Sequence, residues 1–350
     1  MNCWMIYGAN GYTGELIARE AVRLGLKPVL AGRRRRAIEA LANQLGLESR
    51  VFDLQQIEPS RHLQGIRVVA HCAGPFSSTS QPMIDACLSA RAHYLDITGE
   101  ISVFVAAQAR HAEAVEAGVV LCPGVGFDVI PTDCLAAVLK EAMPDADRLA
   151  LGFDSKSGFS PGTAKTSIEG LREGGRIRED GKIRSVPLAY QCRDIDFGNG
   201  TRHAASIPWG DIATAWFSTG IPNIEVFVPM APSAAVRLRR INWVRPLLAL
   251  PLVQNILMKQ VSRRIRGPNQ TQRQDAPTYV WGEAQNPVGR KLTARVRTAN
   301  GYDVTVQGVL LAVSHLCDAS TPAPGYYTPS QLLGPRCIER LPGSGTITLS

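Results

Sequence analysis

The chain reads as an α/β protein: a Rossmann-type, doubly wound parallel sheet with an inserted α+β domain built on an antiparallel sheet. Three observations lead there. A glycine-rich turn, Gly8-Ala9-Asn10-Gly11-Tyr12-Thr13-Gly14, follows the apolar run Cys3 to Tyr7 and opens the helix-like stretch Thr13–Leu24. Strand-like and helix-like runs then alternate through the first third of the chain, the pattern of a parallel sheet with crossover helices. Beyond about Met143 the alternation stops, and short strand patterns separated by glycine turns take over.

In chain order, the strand-like runs of the first third are Cys3–Tyr7, Pro28–Ala31, Arg50–Asp53, Ile66–Cys72, His93–Ile97 and Val119–Cys122. The helix-like runs between them are Thr13–Leu24, Arg35–Leu45, Gln81–Ala90 and Val103–Ala117, with a further helix over Asp133–Met143. Leu149–Asp154 and Glu225–Val228 read as strands and Thr163–Arg172 as a helix. Tyr279–Ala284, Lys291–Thr298 and Tyr302–Gln307 alternate as strands, with Asn300-Gly301 a hairpin turn, and Val309–Leu316 reads as helix. The expected domains are 1–145, completed by about 318–350, and an inserted domain over 146–317.

Strand, glycine turn and helix together place a dinucleotide pyrophosphate on a helix N-terminus, where unpaired N–H groups and the helix dipole favour an anion. Gly8 is expected to make the tight turn, Gly11 to admit the phosphates, and Gly14 to let helix and strand pack closely. Asn10, Tyr12 and Thr13 lie within the same turn. About 20 residues past such glycines an NAD-preferring unit places an acid on the ribose 2′-OH. Here Gly32 is followed by Arg33-Arg34-Arg35-Arg36, and the first acid is Glu39. Guanidiniums suit a 2′-phosphate through forked, charge-assisted hydrogen bonds, so NADP (NADPH) is the expected cofactor. Arg33 and Arg34 are the phosphate candidates, and Arg35 reads as the solvated start of the second helix.

Ligands in such a sheet lie at the carboxyl ends of the strands. Those ends carry Ala73-Gly74-Pro75-Phe76, Thr98-Gly99-Glu100 and Pro123 to Asp128. Ala73, Gly74, Pro75, Phe76 and Gly99 are therefore cofactor-binding candidates. Asp53, at the end of the third strand, would meet the adenine amine or cap a helix. Asp128 and Glu100 are the candidate proton donors, with capping or loop-holding as the structural alternative. His71 and His93 read as core or boundary histidines, and Lys165 and Asp211 as further polar candidates in the inserted domain.

At 350 residues, 45% hydrophobic and 19% charged, the composition is that of a soluble globular chain with room for two cores. The eight cysteines form no C-x-x-C pair and no zinc spacing. A metal site is not expected, and reduced thiols in a cytoplasmic setting are; the first strand begins too early to leave room for a signal peptide. The net charge of +8 is concentrated: between Glu225 and Asp275 lie nine basic residues and no acid. Within it, apolar residues recur at helical spacing over 253–265, with Lys259, Arg263 and Arg266 on the other side. Segment 234–267 thus reads as a peripheral anionic-membrane contact, an internally packed hairpin, or a dimer interface with an arginine rim. Nucleic acid is not an expected partner, because the window is poor in aromatics and bears no recognition motif.

The glycine turn, Ala31-Gly32-Arg33-Arg34, Gly74-Pro75-Phe76, His93-Tyr94-Leu95-Asp96-Ile97-Thr98-Gly99-Glu100 and Gly126-Phe127-Asp128-Val129-Ile130-Pro131-Thr132-Asp133 resemble the saccharopine dehydrogenase-like family. Ser160-Pro161-Gly162-Thr163-Ala164, Pro208-Trp209-Gly210-Asp211 and Gly325-Tyr326-Tyr327-Thr328-Pro329 extend the resemblance over nearly the whole chain. It implies an NADP-binding Rossmann domain completed by C-terminal residues, and an inserted domain with substrate and homodimer contacts. Relatives of this kind include saccharopine reductases and trans-acting enoyl reductases. The expected reaction is hydride transfer from NADPH to a C=C or C=N bond of a hydrophobic or lipid-like substrate. The alternatives are a saccharopine-type imine reductase, using Arg172, Arg176, Arg178 or Arg202 on substrate carboxylates, and a non-catalytic NADP-binding or membrane-surface scaffold.

Overall fold

A computed structural model describes residues 3–155, 174–248, 276–318 and 322–350. In chain order the elements begin β1 (Trp4–Tyr7), α1 (Tyr12–Arg23), β2 (Val29–Gly32), α2 (Arg35–Leu45), β3 (Ser49–Val51) and β4 (Val68–His71). There follow α3 (Phe76–Ala90), β5 (His93–Asp96), α4 (Ile101–Ala109), α5 (His111–Ala117), β6 (Val120–Cys122), α6 (Ile130–Ala142) and β7 (Arg148–Ser155). Next come β8 (Gly175–Glu179), β9 (Lys182–Val186), β10 (Cys192–Asp196), β11 (Thr201–Ile207), α7 (Asp211–Thr219), β12 (Asn223–Pro229) and α8 (Pro232–Leu248). The chain ends with β13 (Thr278–Gln285), β14 (Lys291–Thr298), α9 (Gly301–Cys317), β15 (Gly325–Tyr326), α10 (Pro329–Leu333) and β16 (Thr348–Leu349). Two compact units result: Met1–Ile130 with Tyr302–Gly334, and Pro131–Gly301 with Pro335–Ser350.

The first unit holds a seven-stranded sheet in the order β15-β6-β5-β4-β1-β2-β3, and every pairing is parallel. Strands β1, β2, β4 and β5 are buried at every residue, which is why they read as continuous apolar runs rather than alternating ones. The winding reverses between β1 and β4, the switch point where such sheets bind ligands. Tyr7 pairs with His71, and His71 with Asp96, so the carboxyl ends of β1, β4 and β5 lie in one row.

The second unit is built on a mixed sheet in the order β10-β11-β12-β7-β13-β14-β16, with β8 and β9 attached through β12. Apart from the parallel pair β12–β7, its pairings are antiparallel. Helix α6 packs closely on β13, where a Cβ at Gly282 would lie 2.9 Å from Leu139 Cδ1. Strands β8 to β11 escaped the sequence reading because sequences such as Lys182-Ile183-Arg184-Ser185-Val186 carry charge on a largely exposed ribbon.

One expected element is wrong in type. Tyr302–Gln307 is the start of helix α9, not a strand after a hairpin turn. Val304, Thr305 and Val306 are β-branched, yet all three are buried, as are Gly308, Val309 and Leu310. Burial on nearly every side outweighs their weak helix propensity. Gly308 makes this packing possible, since a Cβ there would sit 2.8 Å from Val125 O. Two boundaries also move. Helix α3 opens at Phe76 and carries Pro82 in its interior, and the Val103–Ala117 run divides into two helices at Arg110. The helix expected over Thr163–Arg172, the amphipathic stretch 253–265, the Ser160–Ala164 motif and Lys165 lie outside the described residues.

Candidate cofactor cradle and active site

The turn after β1 is closed by backbone bonds. Gly8 N–H donates to Ala31 O at 2.8 Å, and Gly11 N–H donates back to Gly8 O at 2.9 Å. Gly8 has φ +87°, a conformation L side chains rarely adopt, and a Cβ there would lie 2.8 Å from Ala73 N. A Cβ at Gly14 would lie 2.4 Å from Gly8 O, so the first turn of α1 can seat against the loop only without one. Around Gly11 a Cβ would meet only Gly8 O, at 3.2 Å, leaving the approach to the helix N-terminus open. Gly11 caps α1 and has no side chain to fill the helix N-terminus. These positions fit a pyrophosphate. Tyr12 stands edge-on to Tyr302, at the start of α9, with ring centroids 5.0 Å apart.

Asn10 reaches from this turn toward β2, its Oδ1 3.3 Å from where a Cβ at Gly32 would be. Arg33 and Arg34 follow Gly32 and are exposed, and their guanidiniums make no hydrogen bond or ion pair among the described residues. Arg35, in contrast, pairs with Glu39 at 2.9 Å along α2. Asp53 accepts Gln55 N–H at 3.1 Å. The buried Tyr7 phenol ties these groups together: burial first, then the Asp53 carboxylate, push it up to about 12, with Arg33 opposing. Arg33 and Asp53 therefore converge on the carboxyl ends of β1 to β3, where the adenosine end of a dinucleotide would lie.

After β4, the Ala73-Gly74-Pro75 turn contains a cis peptide between Gly74 and Pro75 and leads directly into α3 at Phe76. Thr79 braces it, donating to Ala73 O at 2.7 Å, and His71 Nε2 lies 3.0 Å from the same hydroxyl. Burial lowers the His71 imidazole to about 3, so it is neutral at physiological pH. Glu100 closes the next loop onto this one. Its two carboxylate oxygens accept Phe76 N–H at 3.0 Å and Ser77 N–H at 2.7 Å, a carboxylate on a helix N-terminus.

Asp96, which the sequence reading did not single out, organises the centre of this edge. Its Oδ1 accepts Thr98 N–H at 2.9 Å and Gly124 N–H at 2.8 Å, and its Oδ2 accepts the Tyr94 hydroxyl at 2.7 Å. One buried carboxylate thus fastens the loops after β5 and β6; burial raises it to about 6, against the pull of those three donors. An acid at a strand end with Thr two residues later was the available signal. Asp128 stands across the same gap. A Cβ at Gly99 would lie 2.9 Å from its Oδ2, so Gly99 is the space the carboxyl occupies. Half-buried there, Asp128 is raised by desolvation to about 7. The loop carrying it is held from α9, where Thr305 Oγ1 accepts Phe127 N–H at 3.0 Å.

Comparison with known proteins agrees with this geometry. Residues 4–122 match the model of the saccharopine dehydrogenase NADP binding domain family. A provisionally named trans-acting enoyl reductase of Mycobacterium tuberculosis is 29% identical over 185 residues, 48% of this chain and 43% of that protein. The human saccharopine dehydrogenase-like oxidoreductase is 29% identical over 209 residues, 52% of this chain and 48% of its own length. The aligned stretches thus span less than half of these curated relatives. The solved structure of yeast saccharopine dehydrogenase (L-Glu forming) superposes with a TM-score of 0.65 over 99% of both chains at 10% identity, which shows a shared fold.

Proposed function

We propose that this chain, which carries a saccharopine dehydrogenase-type NADP-binding domain, is an NADP-dependent reductase acting on a C=C or C=N bond of a hydrophobic, lipid-like substrate. The observation that carries the reading is Asp128, a carboxyl raised to about 7 and seated on Gly99 at the carboxyl edge of the nucleotide-binding sheet. NADPH, when bound, supplies hydride. The glycine turn and the start of α1 hold the pyrophosphate, and Arg33 and Arg34 grip the 2′-phosphate. Asp128, still partly protonated at neutral pH, delivers a proton to the atom next to the one that receives hydride. Glu100 and Asp96 hold the loops in place.

A saccharopine-type substrate would need arginines free to clamp carboxylates. Arg178 is instead directed at backbone carbonyls and Arg202 lies 3.8 Å from Asp154, which favours the hydrophobic class. For partners, we propose a homodimer and a peripheral contact of 234–267 with anionic membrane. Trp243, 89% exposed, stands on α8 with exposed Arg237 and Arg240 and supports the contact. The test is NADPH oxidation by the full chain against 2-enoyl thioesters and, separately, against amino acid plus aldehyde mixtures. Turnover of the enoyl compounds alone is expected. Turnover only with the imine-forming mixture would replace this substrate class with the saccharopine type, and turnover with neither would favour a scaffold.

A further inference from the structure

At the amino edge of the first unit's sheet, opposite the glycine turn, two cysteines 314 positions apart meet. Cys3 Sγ and Cys317 Sγ lie 3.4 Å apart, and both residues are partly solvent-accessible. A single residue holds both backbones. Arg67 N–H donates to Cys3 O at 2.7 Å, while the Arg67 guanidinium donates to Cys317 O at 3.4 Å and Asp318 O at 3.2 Å. Val68 N–H adds a second bond to Cys3 O at 3.2 Å. The thiols are therefore neighbours through backbone anchoring, not through a chance rotamer. A second pair in the other unit, Cys134 and Cys337, has its sulfurs 3.3 Å apart but is fully buried.

We propose that Cys3 and Cys317 form a reversible disulfide when the protein meets hydrogen peroxide. The Cys3 sulfur, as thiolate, attacks the O–O bond and becomes a sulfenic acid, and the departing hydroxide takes up a proton and leaves as water. The second thiol then attacks that sulfur, the S–S bond forms, and a second water leaves. Two thiols lose two electrons and two protons, and one peroxide is reduced to two waters. The sulfurs need approach by only about 1.3 Å to reach disulfide bonding distance. A dithiol reductant returns the pair, so the site fits a reducing compartment where closure is transient. The bond would tie the end of α9 to the start of β1, and the first turns of α9 hold the Asp128 loop through Thr305.

The test treats the full chain with hydrogen peroxide, blocks remaining thiols with an alkylating reagent, and maps cross-linked peptides by mass spectrometry without reduction. A Cys3–Cys317 cross-link that dithiothreitol removes is expected, forming about tenfold faster than any Cys134–Cys337 link because only the first pair is accessible. Cys3→Ser and Cys317→Ser should each abolish it. Separate alkylation of Cys3 and Cys317 after peroxide, oxidation to sulfinic acid without a cross-link, or prior closure of the buried pair would overturn the proposal.

Discussion

The guanidiniums of Arg33 and Arg34 in the first unit stand exposed without a hydrogen bond or ion pair among the described residues, whereas those of Arg178 and Arg193 in the second are each held by several partners. Arg178 donates to Ile212 O at 2.8 Å and Gly181 O at 2.6 Å and lies 5.0 Å over the Trp216 ring. Arg193 reaches both Glu283 oxygens and stacks 5.0 Å over Trp281. The second unit also has a cleft of about 290 Å³ whose charged lining is Arg148, Arg178, Arg193 and Lys291 with Glu179, Glu225 and Glu283. Both regions carry several arginines, and what differs is their availability. A guanidinium already bonded in the folded chain has little left for an anion, and one left free beside a helix N-terminus is available for it.

The largest expected effect tests the cradle itself. Gly8→Val puts a branched side chain where φ is +87° and where Ala73 N already lies 2.8 Å from the Cβ position. NADPH affinity by calorimetry is expected to fall more than about 100-fold, or about 3 kcal/mol, with the fold retained by circular dichroism. Near-normal affinity would mean that the dinucleotide does not use this turn.

Next in size is Asp128→Asn. The side chain stays next to Gly99 but has no ionisable proton, and turnover is expected to fall about 100-fold with little change in NADPH affinity. The wild-type rate should decline as pH rises through about 7, because the group must be protonated to act. Stability follows the same sign. A carboxyl whose folded pKa is raised binds protons better folded, so its contribution is fully present below the ordinary carboxylate range and lost as pH rises through 7. A variant retaining both the wild-type rate and its pH decline would remove Asp128 from the chemistry.

Arg33→Asp then asks whether availability matters as argued. NADP(H) affinity is expected to fall about 30-fold, near 2 kcal/mol for a charge-assisted contact, while NAD(H) affinity changes by less than about threefold. Equal losses for the two cofactors would place Arg33 away from the 2′-phosphate.

Much of this edge was legible in the chain because its demands are local. Gly8, Gly11 and Gly14 are fixed by spacing, and Arg33 by its place after a strand. Asp96 was not, because its partners Tyr94, Thr98 and Gly124 are united only when β5 and β6 lie side by side. Helix α9 was misread for a related reason: Val304-Thr305-Val306 has strand composition, and only burial, with Gly308 seated against Val125 and Ile130 in the next turn, makes it helical. The second unit was the least legible. Nothing in Arg176-Ile177-Arg178 distinguishes a solvated basic strand from one whose Arg178 is 6% exposed and stacked on an indole contributed by α7.

The smallest effect, and the sharpest for the comparison, is expected at Arg178. Arg178→Met keeps an unbranched stem against Trp216 but removes two charge-assisted hydrogen bonds, leaving Gly181 O and Ile212 O without this donor. Against that loss, the wild type keeps a buried charge, and burial lowers the guanidinium to about 10, so part of the cost of Arg178 disappears with it. The balance is a net destabilisation of about 1–2 kcal/mol, read as a lower denaturant midpoint with an unchanged slope. NADP(H) affinity should stay within about twofold of wild type. If stability held and cofactor or substrate affinity fell tenfold, Arg178 would be a ligand-facing arginine like Arg33, and the division between occupied and available guanidiniums would fail at its best-defined example.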